Sequence, residues 1–157
     1  MNKLIIYTDG CCYPNPGQGT WAFVCPEPYF SLTGFNPNTT NNEMEIKAVL
    51  EACKYAKETG NLDNVEIISD SQYVVRGLNE WISNWRRRGW NRKDAFGDLV
   101  PIKNKELWIE LNQFKGRVEL NWVRGHNGNE WNEMADQLCT EKYFREYGVE
   151  LGNPMKK

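Results

Sequence analysis

Residues 4–8, with the sequence LIIYT, form an apolar and β-branched run that leads directly into Asp9 and Gly10. A run of this length and composition predicts a short strand that is buried in the middle of a sheet. A carboxylate is costly to bury there unless it serves binding or chemistry. Open α/β sheets hold their ligands at the carboxyl ends of their strands. We therefore expect other functional groups to meet Asp9 at this edge of the sheet.

The composition is that of an ordinary globular domain: 157 residues, 40% hydrophobic and 25% charged. We expect one domain over residues 1–157, with a core at about 3–147 and a short C-terminal tail. The net charge of −2 excludes a uniformly basic surface, although basic residues gather between positions 86 and 105. The five cysteines show no zinc-binding spacing, and the chain has no apolar run long enough to span a membrane, so we expect a reduced, cytoplasmic protein that does not bind membranes. A monomer with no obligate protein partner is the default expectation.

Hydrophobic periodicity and turn residues divide the chain into strands and helices. Gly60 and Gly77 are interpreted as helix stops, residues 89–100 as irregular and polar, and Pro101 as the first residue of a helix. The predicted strands are 4–9, 20–25, 29–35, 65–69 and 117–123, and the predicted helices are 43–59, 71–77, 78–88, 101–114 and 129–147.

This order of elements can be folded into one mixed sheet. Strands 1–3 form an antiparallel meander, and right-handed crossovers return strands 4 and 5 parallel to strand 1. The carboxyl ends of the parallel strands and the starts of two helices then share one edge of the sheet. That edge would collect four acids: Asp9, Glu45, Asp70 and Asp136.

Four carboxylates in contact cannot all remain ionised without a cation, because like charges raise one another's pKa. Oxygen ligands without a thiolate or imidazole cage favour Mg²⁺, with Mn²⁺ as a possible substitute. Two such ions about 4 Å apart form the arrangement that activates water and stabilises a leaving oxygen in phosphodiester cleavage. His126, the single histidine, lies in a glycine-flanked loop and could assist as a general acid or base.

Each acid also has a purely structural interpretation. Asp9 could begin an Asx turn. Glu45 could complete a capping box with Asn42, and Asp70 could be a simple N-cap. Taken singly, the structural interpretation is favoured for Glu45 and Asp70. Asp136 resists it, because Asp is a poor mid-helix residue and this one lies off the apolar stripe of its helix.

Six short segments in this order resemble type-1 ribonuclease H, over residues 3–144. The segments are YTDG at 7–10, NPG at 15–17, TTNNEME at 39–45, SDSQYV at 69–74, NWVRGH at 121–126 and NEMAD at 132–136. The resemblance implies an α/β, ribonuclease H-like fold with a five-stranded mixed sheet flanked by helices. It also implies an endonuclease that hydrolyses the RNA strand of RNA–DNA hybrids, leaving 5′-phosphate and 3′-hydroxyl ends. By motif match, the four acids would hold two metal ions and His126 would assist turnover.

The resemblance further implies three groups of substrate contacts. The minor-groove contacts would be Cys12, Asn15, Asn41 and Gln72. The contacts to a DNA-strand phosphate would be Thr40 and Asn104. A basic protrusion over residues 81–90 would grip the DNA strand through Trp81, Trp85, Arg86, Arg87 and Arg88. On composition alone, this protrusion is equally well an amphipathic helix with buried Trp and solvated Arg.

Two features separate this chain from related possibilities. Type-2 ribonuclease H and proofreading exonucleases carry a second acid on strand 1, whereas Asp9 is flanked by Thr8 and Gly10. The alternative of a catalytically silent hybrid-binding module is disfavoured, because four acids would only repel phosphate. Residues 91–100 depart from the family pattern and predict a longer, less basic protrusion with weaker or more salt-sensitive binding. We expect a free-standing enzyme with no hybrid-binding domain before residue 1.

Overall fold

The computed structural model describes residues 3–149, and its main element is a five-stranded mixed sheet. The strands are β1 (Leu4–Cys12), β2 (Gly17–Pro26), β3 (Tyr29–Thr39), β4 (Val65–Ser69), β5 (Asn91–Lys93), β6 (Leu99–Pro101) and β7 (Glu119–Trp122). The order of the strands in the five-stranded sheet is β3-β2-β1-β4-β7. The helices are α1 (Asn41–Glu58), α2 (Gln72–Arg76), α3 (Ile82–Arg87), α4 (Lys105–Asn112) and α5 (Glu130–Tyr147). β1 pairs antiparallel with β2 and parallel with β4, and β4 pairs parallel with β7. The predicted fold class and strand directions are confirmed.

The two faces of the sheet are covered by different helices. On one face, α1 packs against β1 and β2, burying Ile46, Val49 and Leu50. On the other face, α5 packs against β1 and β2 through Cys139 and Tyr143. β1 is therefore covered on both sides, as its uniform apolar sequence predicts.

The α-helical segment α2 ends next to Gly77, as predicted, but Gly77 does not stop the helical path of the chain. It has right-handed helical dihedral angles, and the chain continues through a π-helical turn (Gly77–Trp81) into α3. A Cβ atom at this position would overlap Cη2 of the fully buried Trp108. Glycine is needed here because the indole ring occupies the space of a side chain.

The interpretation of residues 89–100 as irregular is also wrong. β5 and β6 form a two-stranded antiparallel hairpin, in which Arg92 pairs with Val100. Pro101 is the last residue of β6, and α4 begins only at Lys105. The strands of the hairpin are three residues long, too short for an alternating pattern to be read from the sequence. Among the described residues, no helix is both long and apolar enough to cross a membrane.

Candidate active site

β1 extends beyond the end of its parallel neighbour β4, and Asp9 is the first residue of this extension. The last parallel pair of β1 and β4 is Thr8 with Ser69, and Asp9 itself pairs only with Ala22 of β2. Asp9 is 5% exposed and sits within a strand that continues to Cys12, so the Asx-turn interpretation is wrong. Its side chain stands beside the end of β4, where Asp70 follows.

Glu45 projects from the first turns of α1, and the cap of this helix is formed by other residues. Thr40 is the N-cap, and its Oγ1 accepts a hydrogen bond from the Glu43 backbone N–H at 3.0 Å. The prediction of a capping box between Asn42 and Glu45 is therefore wrong. The backbone N of Glu45 would lie 2.6 Å from a Cβ on Gly10, so the glycine lets β1 and α1 approach closely. This approach brings the carboxylate of Glu45 to Asp9.

Asp70 likewise does not cap the helix that follows it. Ser71 is the N-cap of α2, and its Oγ accepts a hydrogen bond from the Val74 N–H at 3.3 Å. Asp70 is instead held from two sides. The Trp122 indole donates to its backbone carbonyl at 3.1 Å, and the Asn132 amide donates to its Oδ2 at 3.4 Å. Its carboxylate is thereby held at the edge of the sheet.

Three of the four predicted acids form a close group, and the fourth lines the same cavity. One carboxylate oxygen from each of Asp9, Glu45 and Asp70 lies within 4.8 Å of the other two. Asp136, from the second turn of α5, lines the same cavity of about 290 Å³, and its charge raises the pKa of Asp9. His126 also lines this cavity.

The electrostatics of the cluster are unfavourable without a cation. Burial, followed by the charges of Glu45, Asp70 and Asp136, raises the pKa of Asp9 well above its usual range. Burial and the charge of Asp70 do the same to the pKa of Glu45. Burial also raises the pKa of Asp70, although the hydrogen bond from Asn132 and the proximity of His126 oppose the shift.

One carboxylate oxygen in the cluster indicates that the site could bind a cation. Glu45 Oε1 is buried and has no hydrogen-bond partner, the one such side-chain oxygen or nitrogen found among residues 3–149. A buried, unpartnered oxygen is unfavourable by about 1–3 kcal/mol and more for a charged group. A divalent cation bound between the acids would satisfy this oxygen and offset the repulsion. The three donors that lie together are all carboxylates, which suit a hard, oxygen-preferring ion.

The loop that carries His126 is strained and tied to α5. His126 adopts a positive φ of 55°, which is uncommon for a non-glycine residue. Two residues later, the Gly128 N–H donates to Glu133 Oε2 at 3.0 Å. Glu133 thus fastens the loop to the first turn of the helix that carries Asp136.

The predicted minor-groove residues lie around the rim of the acid cavity. Cys12 and Asn41 line it, and Asn15 Oδ1 accepts a hydrogen bond from the Asn41 N–H at 3.0 Å. Gln72 is exposed at the first position of α2. The Cys12 thiol is buried and donates to the backbone carbonyl of Pro14, so this residue presents little more than its backbone.

Apart from Thr40, which caps α1, the predicted DNA-strand residues form a second group around an aromatic cluster. Trp81 and Trp85 are half-buried, with ring centroids 5.8 Å apart, and Arg86, Arg87 and Arg88 are exposed. The structural interpretation of this segment therefore holds, since the tryptophans pack inward and the arginines are solvated. Contact of these residues with a DNA strand stays a prediction. A residue with no predicted role, Tyr73, connects the group: its hydroxyl accepts hydrogen bonds from Asn104 Nδ2 and Trp108 Nε1, both at 3.2 Å.

Sequence reasoning also assigned no role to Asn132. It is 1% exposed and points at Asp70 from the same face of α5 as Asp136, four residues later. A polar residue one turn before the predicted ligand, on a helix that packs on the sheet, is the signal that could have identified it.

Comparison with known proteins agrees with this geometry. A family model described as RNase H matches residues 1–144. A Ribonuclease H from Rhodopirellula baltica is 44% identical over 144 residues, covering 88% of this chain and 89% of the relative. A Ribonuclease H from Herminiimonas arsenicoxydans is 44% identical over 157 residues, covering 98% and 99% of the two chains.

The fold is shared with a solved relative. The crystal structure of LC9-RNase H1, described as a type 1 RNase H with the type 2 active-site motif, has a TM-score of 0.78 and 29% identity. The match covers 97% of this chain and 79% of that one. These similarities favour an active enzyme over a silent binding module. The chain therefore belongs to the RNase H family, and it is an endoribonuclease that acts on RNA–DNA hybrids.

Proposed function

We propose that the cavity lined by Asp9, Glu45, Asp70 and Asp136 is the catalytic centre. There the enzyme hydrolyses the RNA strand with two divalent cations, leaving 5′-phosphate and 3′-hydroxyl ends. Mg²⁺ is the proposed ion, with Mn²⁺ able to substitute. The observation that carries the proposal is the convergence of buried carboxylates around the unpartnered Oε1 of Glu45. Such an arrangement is unfavourable in itself and is explained by bound cations.

When bound, the cations would activate water and neutralise negative charge that develops on the scissile phosphate. The protein's own groups hold and orient this site. Asp9 and Glu45 supply carboxylate oxygens from two elements that Gly10 allows to touch. Asn132 donates a hydrogen bond to Asp70, leaving its other oxygen available. We assign to His126 the transfer of a proton near the leaving group, since its loop stands at the cavity rim.

We infer that the hybrid lies across both groups of predicted contacts. Amide groups of Asn15, Asn41 and Gln72 would contact 2′-hydroxyl groups in the minor groove, which distinguishes RNA from DNA. Thr40, Asn104 and the exposed arginines would hold phosphates of the DNA strand without regard to sequence. Five buried cysteine thiols support a reducing compartment, and thus the cytoplasm.

The proposal is tested with one labelled RNA strand, presented single, paired with RNA, or paired with DNA, in Mg²⁺ or EDTA. We expect internal cleavage of the RNA–DNA hybrid alone and none in EDTA. Asp70→Asn should abolish cleavage while leaving hybrid binding largely intact, because it removes a metal ligand and not a groove contact. Asp63→Asn, which removes an exposed carboxylate paired with Arg117, is the matched control and should cleave normally. Near-full activity of Asp70→Asn with Mg²⁺, or cleavage in EDTA, would refute the proposed site.

A further inference from the structure

The hairpin formed by β5 and β6 ends in an aromatic side chain that no part of the described chain covers. Phe96 is 89% exposed, against 59% for Tyr29, the next most exposed large hydrophobic residue in residues 3–149. A side chain this exposed contributes almost nothing to folding stability. It is available for contact with another molecule.

The tip of the hairpin is held rigidly by one acid. Asp94 Oδ1 accepts hydrogen bonds from the backbone N–H groups of Phe96 and Asp98, at 2.9 and 3.0 Å. The Asp94 N–H donates to the Asp98 carbonyl at 2.8 Å, and the Gly97 N–H donates to the Asp94 carbonyl at 3.1 Å. These hydrogen bonds define the backbone of the turn at Phe96, which lowers the entropic cost of a contact through this residue.

The base of the hairpin is continuous with the proposed DNA-strand surface. Asn91 Nδ2 donates to the carbonyl of Arg88 at 3.0 Å, and the Ile102 N–H donates to the carbonyl of Trp90 at 3.1 Å. Asn104 follows two residues later. The hairpin thus projects from between two groups that we propose to bind the DNA strand.

The charge of the hairpin cannot by itself explain a contact with nucleic acid. Within residues 91–101, Arg92 and Lys93 are balanced by Asp94 and Asp98, so the net charge is zero. An apolar contact is what the hairpin can offer. The apolar surfaces of a duplex that a protein reaches from outside are its sugar faces, since the bases are stacked on one another. Sugars are accessible from the wide, shallow minor groove of A-like helices.

We propose that Phe96 packs against sugar faces of the RNA–DNA hybrid, extending the substrate-binding surface beyond the basic residues of α3. This inference rests on the proposed function for its substrate and adds a residue outside the acid cavity. Phe96 acts in binding, so its loss should change KM and leave the rate at saturating hybrid unaffected.

The test compares Phe96→Ala, Phe96→Trp and the control Phe144→Ala, which removes a phenylalanine of 53% exposure on α5. We expect Phe96→Ala to raise KM by about fivefold, as for partial loss of a buried phenylalanine contact. Phe96→Trp keeps a large aromatic side chain at this position, so its KM should be close to that of the unmodified enzyme. Phe144→Ala should leave KM unchanged. The fivefold factor should be the same at low and high salt, because an apolar contact releases no counterions. A KM for Phe96→Ala equal to that of the unmodified enzyme would overturn the inference.

Asp94→Ala provides a second, independent measurement. Removal of an acid beside a phosphate backbone ordinarily strengthens binding, whereas loss of the turn that fixes Phe96 weakens it. We expect a higher KM, and a lower one would contradict the inference. Fluorescence anisotropy of a labelled hybrid in EDTA measures binding without cleavage, and it should rank the unmodified enzyme and the variants in the same order as KM does. If the unmodified enzyme binds hybrid but does not cleave it, the proposed function fails while the role of Phe96 is still decided by the anisotropy.

Discussion

Replacement of Asp9 by Asn should stabilise the protein in the absence of metal. One oxygen of Asp9 lies within 4.8 Å of an oxygen of Glu45 and one of Asp70. At this separation two unit charges repel by about 3.5 kcal/mol, for an effective dielectric constant of about 20. Uptake of a proton by the cluster relieves part of this repulsion, so we expect a gain of about 2 kcal/mol in the free energy of unfolding at pH 7. The Asn amide can also donate hydrogen bonds to the neighbouring carboxylates, which a carboxylate cannot do.

The pH dependence follows from the direction of the pKa shift. The pKa of Asp9 is raised in the folded protein, so the folded state binds more protons than the unfolded state above about pH 4. The stability that Asp9 contributes is thus present below its unfolded pKa and is lost as pH rises through its folded pKa. The difference between Asp9→Asn and the unmodified protein should be small at pH 4 and grow towards pH 7.

Thermal unfolding in EDTA measures this effect, and a gain of about 2 kcal/mol corresponds to about 4–8 °C in Tm. Mg²⁺ should raise the Tm of the unmodified protein more than that of Asp9→Asn, because the variant has lost a ligand. Asp63→Asn is the control, and it should change the Tm in the opposite direction or leave it unchanged. Arg117 lowers the pKa of Asp63, so the substitution removes a favourable pairing. A lower Tm for Asp9→Asn in EDTA at pH 7, or an equal difference at pH 4 and pH 7, would refute the reasoning.

Three further predictions concern packing, positioning and electrostatics. Gly77→Ala should reduce the free energy of unfolding by about 3 kcal/mol in a urea titration, because the new methyl group overlaps the fully buried ring of Trp108; an unchanged midpoint would mean that the ring can move away. Asn132→Ala should lower kcat/KM about tenfold and raise the Mg²⁺ concentration needed for half-maximal rate, since Asp70 loses its amide donor; unchanged Mg²⁺ dependence would leave Asn132 a purely structural residue. Joint replacement of the arginines at 86–88 by alanine should weaken hybrid binding and reduce the slope of log K against log salt by up to about 3; an unchanged slope would show that these arginines do not contact phosphate.

The sequence alone determined the mixed sheet, the directions of its strands and the edge at which Asp9, Glu45 and Asp70 meet. The spacing of apolar residues along the chain indicates which side chains are buried, and this spacing is clear in β1, β4 and α1. Once the strands and the crossover rule are known, Asp9 and Asp70 must share an edge, because parallel neighbours end together. The set of acids then predicted metal-dependent phosphodiester cleavage, and the family resemblance supplied the RNA–DNA hybrid as the substrate.

Only the tertiary structure decided which residues cap helices and which meet across the fold. Thr40 and Ser71, and not Asn42 or Asp70, proved to be the caps, because capping depends on where the chain turns to within one residue. Gly77 was predicted to stop a helix, yet it makes room for the indole of Trp108, 31 residues away in the chain. Close approaches of this kind leave no periodic signal, since they depend on how two distant elements pack and not on the residues beside them.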